Sequence, residues 1–547
     1  MASIINNTTS SSRFADVETT VITKRPYESA EEEGEEELVK DISGDVIDHG
    51  LRRGLKGRHF VLIALGSIIG PGTFYGLGYA LYLSGPLGLL IGFGLIAIAV
   101  WILMQCVGEV TAMFPVHGGF IEHANRFVDP ALSFALSWLY YIMWSIYLPA
   151  DWNAAVLILE FWVPDSKMPS WAWYLIFWAF FSVITTLGVR VYGELEYIFG
   201  MFKFCSLIVL FFISILANVG AFGGGYVGFR YWTPPDGPII NGINGFGQVF
   251  ILAATYYVGT EVISLAAGES KNPQRDVPAS MSSITYRILV VYMGMAFFQG
   301  LICPSSADGL IHADSAVASS PFTIGFELAG WKTAGHFVNA IIIIAFLSAG
   351  NGVVYVQSRT LFTMALTGKA PAIFKTTSKR GVPYVAILFS NLWGFLALMN
   401  LSVDAGTVFT YFNSVSGTAA YFTWIIIMLT FLRVRSGLNA QGIDPNTLPY
   451  RAKGSIWIYR LTLAFFVFLL LIQGFTSFTD GFHYKIFVSS YITIPTFIIL
   501  FFGYKFYHGT RWLRAHEIPL ADRNVYDAAL DLGKPKGWKK IGDLLKN

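Results

Sequence analysis

Three ionisable residues lie deep inside long apolar stretches of the sequence, where such residues are rare. Asp151 lies in the third stretch, Lys203 is well inside the fifth, and Glu261 lies in the middle of the sixth. A charge at membrane depth is costly and commonly marks an ion or proton path. All three are therefore candidates for binding or relaying a proton. The alternative for Lys203 is a static contact with a carboxylate or a carbonyl group. Asp151 could instead bind a cationic substrate or pair within the protein, and Glu261 could be a carboxylate fully bonded to helix ends.

The first apolar stretch contains glycine and proline where a continuous helix would not tolerate them. Its sequence "GPGTFYG" begins at Gly70 and includes Pro71 and Gly72, and inside a helix glycine costs about 1 kcal/mol and proline about 3 kcal/mol. Broken backbone at membrane depth is tolerated where it lines a polar cavity. Free N–H groups at a half-helix end attract anions, and free carbonyl groups attract cations. The alternative is a kinked helix that packs through its small residues.

The sixth stretch repeats this feature, because "YYVGTE" places Gly259 in its middle. Paired interruptions in two halves of a chain are the best sequence pointer to a transporter's substrate site. Since the first and sixth stretches are interrupted, the pattern predicts two five-helix repeats. Five is an odd number, so the second repeat must be inverted relative to the first.

The composition indicates that these sites belong to a membrane protein. Hydrophobic residues make up 54% of the 547 residues and charged residues only 13%, compared with about 25% charged in soluble proteins. A membrane-spanning helix needs about 20 mostly apolar residues. We predict twelve spans at roughly 60–83, 86–113, 131–160, 171–188, 193–218, 245–268, 282–303, 336–366, 384–401, 406–432, 457–477 and 487–507.

The distribution of basic residues predicts the orientation of these spans. With a cytoplasmic N-terminus, most loop Lys and Arg residues lie on the cytoplasmic side, as the positive-inside rule requires. The outer loops then contain only Lys167, Arg230, Lys332 and Lys485. Because the number of spans is even, both termini are expected in the cytoplasm.

Polar tails flank the membrane domain. We predict a disordered acidic tail at 1–50, a transporter domain at 51–507 and a cytoplasmic C-terminal tail at 508–547. Lys24 and Lys40 in the first tail are candidate ubiquitin acceptors. The basic sequence "LRRGLKGRH" that begins at Leu51 is suited to anionic lipid headgroups.

The sequence lacks the patterns of other function classes. It contains no nucleophile elbow and no phosphate-binding loop of the G-x-x-x-x-G-K type. Its histidines are scattered, and its three cysteines lie in or at the ends of apolar stretches. We therefore expect no enzyme activity, no metal, no cofactor and no nucleic-acid partner.

Six motifs together resemble one known family. They are "FPVHGGF", "RFVDPALSFALSW", "GVRVYGELEY", "GTEVISLAAGESKNP", "LSAGNGVVYVQSRTLFTMALTGKAP" and "RGVPY", which occur in this order between residues 114 and 384. The chain resembles fungal amino-acid permeases, the yeast amino-acid transporter family of the amino acid–polyamine–organocation superfamily. The resemblance covers about Leu51 to Tyr507.

The resemblance implies the fold class and the activity. The fold would be an all-α polytopic membrane protein with 12 transmembrane helices, comprising a 5+5 inverted repeat with broken helices 1 and 6 plus two peripheral helices. The activity would be proton-coupled import of amino acids or related ammonium-bearing compounds at the plasma membrane. Alternatives are a non-transporting nutrient receptor on this scaffold, or a permease for a polyamine, a choline-like amine or an amino-acid derivative.

The resemblance also implies the residues of the substrate site. The first break offers amides and a hydroxyl to a carboxylate, backbone carbonyls of both breaks take the ammonium, and an aromatic residue acts as a gate. The substrate-binding candidates are Ile68, Ile69, Gly70, Pro71, Gly72, Thr73, Tyr257, Val258, Gly259, Thr260 and Asn413. Lys203 corresponds to a lysine of related proton-coupled carriers and is expected to lie near Ser348. Proton coupling is thus assigned to Lys203, Glu261 and Asp151.

The sequence departs from the family pattern at the first, third and sixth helices. Where the family commonly has G-T-G-L-F-I-G, this chain has G-P-G-T-F-Y-G beginning at Gly70, and the usual P-L-E is P-A-D ending at Asp151. The usual F-G-G-T-E becomes Y-V-G-T-E, beginning at Tyr257. These changes favour a substrate whose α-carboxylate is absent, modified or differently placed.

Overall fold

A computed structural model describes the membrane region and parts of the tails. The described residues are 20–21, 39–40, 46–48, 51–52, 70–270, 273–310, 320–378, 381–401, 405–479, 481–521 and 523. Four short strands, β1 to β4, pair antiparallel in sequence order at Thr20–Val21, Val39–Lys40, Val46–Asp48 and Leu51–Arg52. Most of the predicted disordered tail lies outside the described residues, so its disorder stays a prediction.

Helices build the described membrane region, as its apolar stretches predict. In chain order, α1 to α8 are Pro71–Met113, Gly119–Phe127, Pro130–Leu159, Ser170–Thr186, Val189–Asn218, Gly242–Tyr257, Val262–Ala266 and Pro273–Ile302. Helices α9 to α15 are Pro321–Leu328, Ala334–Leu366, Tyr384–Leu392, Ala405–Ala440, Ile456–Ile472, Tyr484–Tyr491 and Thr493–His508. Short 3-10 turns lie at Arg230–Trp232, Ala267–Glu269, Asp308–Leu310, Ala372–Lys375, Trp393–Leu401, Pro445–Thr447, Phe475–Phe478 and Ala515–Glu517.

Eight helical segments among the described residues are long and apolar enough to cross a membrane. They are Gly76–Met113, Pro130–Leu159, Val189–Asn218, Gly242–Glu269, Ala334–Leu366, Ser414–Ala440, Ile456–Phe478 and Tyr484–His508. Shorter apolar helices lie at Ser170–Thr186, Val290–Ile302 and Tyr384–Met399. The protein is therefore a polytopic, all-helical membrane protein in its described core.

Helix α1 changes direction at Gly85, where the sequence predicts a boundary between its first two spans. Gly85 has φ +73°, and Pro86 follows it directly. A positive φ is costly for residues with a Cβ atom, whereas glycine adopts it freely. The lengthy helix thus consists of two segments that meet at this glycine.

The predicted interruption of the sixth stretch is confirmed. Helix α6 ends at Tyr257, Val258 is extended with ψ 143°, and Gly259 has φ +102°. The chain returns to helix only at α7, which begins at Val262. The corresponding first break lies partly outside the described residues, because the description of this stretch begins at Gly70.

The two broken stretches lie at the centre of the helix packing. Helix α1 packs along α8 and α6, while α3 packs against α10 and α12. Buried apolar side chains from these helices form one continuous core cluster. In contrast, the last apolar segment, α14 with α15, exposes large side chains such as Ile499 and Phe506, as expected of a helix at the edge facing lipid.

Candidate functional site

The start of α1 lies against the third and eighth apolar stretches. Gly70 precedes α1 in extended conformation, with φ −108° and ψ 179°, and Pro71 is the first helical residue. A Cβ atom placed on Gly70 would lie 3.3 Å from Ala349 Cβ of α10 and 3.9 Å from Asp151 Oδ1 of α3. The glycine therefore lets the helix start approach both neighbours closely.

Lys203 shares one face of α5 with a second buried ionisable residue, Glu196. The two are seven residues apart, which is about two helical turns. Both side chains are buried, and the ammonium of Lys203 interacts electrostatically with the carboxylates of Glu196 and Asp151. Asp151 is half-buried, so it is the most accessible of the three. We call Asp151, Glu196 and Lys203 the buried ion cluster.

Helix α10 anchors this cluster through its polar side chains. Ser348 Oγ donates a hydrogen bond to Glu196 Oε2 at 3.2 Å, and Asn351 Nδ2 donates one to Oε1 at 2.8 Å. Ser348 is the residue that we expect near Lys203. In the structure Ser348 bonds to Glu196, and the Glu196 carboxylate interacts electrostatically with Lys203. The cluster thus joins α3, α5 and α10 beside the start of α1.

Glu261 is fully buried and holds the break of the sixth stretch. Its carboxylate accepts hydrogen bonds from the Gly259 backbone N–H at 3.2 Å, from Tyr140 Oη at 3.0 Å and from Trp424 Nε1 at 3.5 Å. Thr260 Oγ1 adds a donor at 3.4 Å. This set of donors favours the alternative in which Glu261 fixes the geometry and stays bonded. Its part in proton coupling stays a prediction.

Two adjacent tyrosines of α6 have different surroundings. Tyr257 is buried, its Oη donates to the Phe93 carbonyl at 3.2 Å, and its ring lies 4.4 Å from that of Tyr292. The Tyr256 side chain instead lies directly against Gly76 of α1. The geometry therefore favours a core role for Tyr257, and Tyr256 is an aromatic residue that contacts the first-helix motif at Gly76.

The remaining substrate-binding candidates are placed only in part. Ile68 and Ile69 lie outside the described residues. Only the backbone is described at Pro71, Gly72, Thr73 and Asn413. Their backbones place Pro71, Gly72 and Thr73 in the first turn of α1 and Asn413 in α12. Val258, Gly259 and Thr260 form the sixth-stretch break described above. Substrate contact by these residues stays a prediction.

Comparison with known sequences decides the family. The profile of the family described as "Amino acid permease" matches residues 59–517, which include both broken stretches and the buried ion cluster. The chain belongs to the amino acid permease family. The permease is accordingly a multi-pass membrane protein that functions in amino acid transport, and it is not an enzyme.

Curated relatives of this permease are similar over most of their length. The chain is 39% identical to the general amino acid permease AGP3 of Saccharomyces cerevisiae, over 85% of this chain and 82% of the relative. It is 34% identical to the lysine-specific permease LysP of Escherichia coli, over 86% and 96%. It is also 33% identical to the S-adenosylmethionine permease GAP4 of Candida albicans, over 86% and 78%.

Two functional candidates of the permease, Glu196 and Tyr256, were not predicted from the sequence. Glu196 is part of the familial motif "GVRVYGELEY", and its spacing of seven residues from Lys203 is the signal that would have found it. Tyr256 precedes the residue that the family pattern singles out, so no signal in the pattern distinguished it. Both are recognised from their contacts with neighbouring helices, which are Ser348 and Asn351 for Glu196 and Gly76 for Tyr256.

A second polar group of the permease follows the sixth-stretch break. Arg359 Nε lies 2.6 Å from Glu269 Oε1, and both side chains are buried. The guanidinium also lies over the ring of Tyr355 at 4.8 Å, and that ring stacks on Tyr192 of α5 at 4.1 Å. This chain of contacts connects the 3-10 turn after α7 with the end of α5 that carries Glu196.

The connection around α2 contains two buried titratable groups outside the spans. His123 Nε2 lies 2.7 Å from the Phe114 carbonyl, and burial lowers the pKa of His123 from 6.5 to about 4. Burial also lowers the pKa of Lys369 from 10.5 to about 8, although its Nζ donates to Asn125 Oδ1 and Ser133 Oγ. His123 thus joins α2 to the end of α1, and Lys369 joins the segment after α10 to α2 and α3. Within the described part of the chain, no cluster of metal ligands occurs.

Proposed function

We propose that this permease is a proton-coupled symporter that imports an amino acid or a related ammonium-bearing compound across the plasma membrane. The observation that carries the proposal is the buried ion cluster beside the start of α1. Lys203 interacts electrostatically with two carboxylates of unequal exposure. Ionisable groups inside a membrane protein commonly mark a proton path, and Asp151 of this cluster adjoins the start of α1, where the backbone break would receive substrate.

The proposed substrate makes little use of a free α-carboxylate. Pro71 lies at the first helical position of α1, so the helix end has lost one N–H donor that would otherwise attract an anion. The carboxylate of Asp151 lies near the same end and repels a second carboxylate. Relatives are named for general amino acids, lysine and S-adenosylmethionine, which supports an amino acid or an amino-acid derivative.

The proposed architecture has twelve spans, with helices 1 to 10 in two inverted repeats and two peripheral helices. Support comes from the break after α6, from the division of α1 at Gly85, and from the short apolar helices that add to the long ones. With both termini in the cytoplasm, the basic residues near Leu51 would contact anionic lipid. Lys24 and Lys40 would then be accessible to ubiquitin ligation.

The test is uptake by the purified full chain in liposomes. Radiolabelled amino acids, their amides, polyamines and quaternary amines are screened with a neutral and with an acidic exterior. Symport predicts that substrate accumulates in proportion to the pH gradient. Saturable binding without accumulation would support the nutrient receptor instead.

Lys203→Ala tests the coupling step. If Lys203 takes part in proton coupling, the variant loses gradient-driven accumulation, whereas exchange of internal for external substrate continues because it needs no net proton movement. A Lys203→Ala protein that still concentrates substrate in proportion to the gradient would assign Lys203 a structural role. Glu261 would then be the next residue to test.

The ubiquitin proposal is tested separately in cells. Replacing Lys24 and Lys40 with Arg keeps the positive charges and removes the acceptor amines. Slower removal of the double variant from the plasma membrane is expected. An unchanged surface lifetime would reject the proposal.

A further inference from the structure

Glu196 is the fully buried member of the ion cluster, and its position suggests a function of its own. Its exposed fraction is 0%, compared with 2% for Lys203, whereas Asp151 is half-buried beside the helix break. Both oxygens of the Glu196 carboxylate accept hydrogen bonds from α10. These donors are suited to an ionised carboxylate, since hydrogen bonds to a charged form favour that form.

The formal charges in the cluster do not cancel. With all three groups ionised, Asp151 and Glu196 contribute two negative charges and Lys203 one positive charge. A net charge inside a membrane protein is costly. One added proton makes the cluster neutral, so the cluster as a whole favours binding of a single proton.

Among the side chains that the structure describes, the other titratable groups near Glu196 do not supply the missing charge. From α5 and α10 these are Tyr192 and Tyr355, which stack on each other and are neutral phenols in their ordinary state. Arg359 and Glu269 lie beyond them and form an ion pair with each other. From α3, the Asp151 carboxylate acts electrostatically on Lys203. The excess negative charge therefore belongs to the cluster itself.

We propose that Glu196 is a positioning residue for proton coupling, whose fixed negative charge makes the cluster bind the transported proton. The proposal rests on the proton coupling described under the proposed function. Asp151, the accessible carboxylate beside the start of α1, receives the proton. The ammonium of Lys203 then pairs with Glu196 while Asp151 is neutral, and it returns toward Asp151 when the proton leaves. Protons are conserved throughout, because only the Asp151 carboxyl gains and loses one.

The main test replaces Glu196 with glutamine, which keeps the shape and removes the charge. The cluster would then be neutral with Asp151 and Lys203 ionised, so an added proton would create a net charge. Glu196→Gln in liposomes should exchange substrate but lose the accumulation driven by an acidic exterior. A gradient of about one pH unit corresponds to about tenfold accumulation for one proton per substrate, and this factor should fall to near one.

Glu194→Gln is the matched control, since it changes the same residue type on the same helix at a half-buried position two residues away. It should accumulate substrate as the wild type does. Glu196→Asp retains the charge and should restore part of the response to the gradient. This rescue separates a requirement for charge from a requirement for the shape of the side chain.

Asn351→Ala provides a second measurement that leaves Glu196 in place, should Glu196→Gln fail to fold. The loss of the 2.8 Å hydrogen bond removes a donor to the ionised carboxylate. The cluster then binds a proton more tightly, so the pH at which uptake is half-maximal should rise by about one unit, a tenfold change in proton affinity. An unchanged pH profile for Asn351→Ala would contradict the proposal.

The outcomes distinguish this inference from the proposed function. A wild-type protein that transports substrate without responding to the pH gradient refutes proton coupling itself. A wild type that responds, together with a Glu196→Gln variant that responds equally, refutes only the role of Glu196.

Discussion

Restoring the hydroxyl residue at position 71 should make the permease favour substrates with a free α-carboxylate. Pro71 is the first residue of α1, and Gly70 before it provides no side-chain cap. The first N–H groups of a helix are free to bind an anion, but proline has none. Pro71→Thr supplies one backbone N–H and one hydroxyl at this end.

The magnitude follows from the number of donors and from the neighbouring charge. A hydrogen bond to a charged group contributes about 1.5–3 kcal/mol, and each 1.4 kcal/mol corresponds to about tenfold in affinity. The Asp151 carboxylate, whose Oδ1 would lie 3.9 Å from a Cβ atom on Gly70, opposes a second carboxylate. We therefore expect the lower end of the range, an increase of about tenfold in preference for the acid over its amide.

The assay is competition against labelled substrate in liposomes, with an unlabelled α-amino acid and its amide or ester as competitors. The ratio of their inhibition constants is compared between wild type and Pro71→Thr. Pro71→Ala is the matched control, because it restores the N–H without the hydroxyl and should produce a smaller change. If the wild type already transports common L-amino acids tightly and rejects their amides, the reasoning from Pro71 is wrong.

Three further substitutions test the packing of the helices. Arg359→Ala leaves Glu269 as an unpaired buried charge and should destabilise the protein by about 3–5 kcal/mol, seen as a lower unfolding temperature that Arg359→Leu with Glu269→Leu restores. Gly76→Ala places a Cβ atom where the Tyr256 ring lies and should lower the stability by about 1–3 kcal/mol, seen as a lower unfolding temperature. Adding Tyr256→Ala removes the clash and should raise that temperature again. Since burial lowers the pKa of His123 from 6.5 to about 4, the unfolded state binds more protons between these values. Stability should fall by about 2 kcal/mol between pH 7 and pH 5, and equal pH dependence in His123→Gln would contradict this.

The amino-acid sequence by itself determined the class of the protein and the interruption of its sixth apolar stretch. Hydropathy is a property of consecutive residues, so the apolar stretches were recognisable without any knowledge of their neighbours. The same holds for Gly85 and Gly259, whose positive φ values are a local conformation that glycine adopts far more readily than other residues. The order of six motifs identified the family, which the profile match to residues 59–517 confirms.

Only the tertiary structure decided which polar groups act together. The Glu196 carboxylate accepts hydrogen bonds from Ser348 and Asn351, which are 152 and 155 residues away in the chain. Glu261 likewise receives donors from helices 121 and 163 residues away. A buried charge is stable only with partners. Hydropathy predicts which helix contains that charge, but it does not predict which helices surround it. The packing of α3, α5 and α10 around the start of α1 supplies those partners and creates the site.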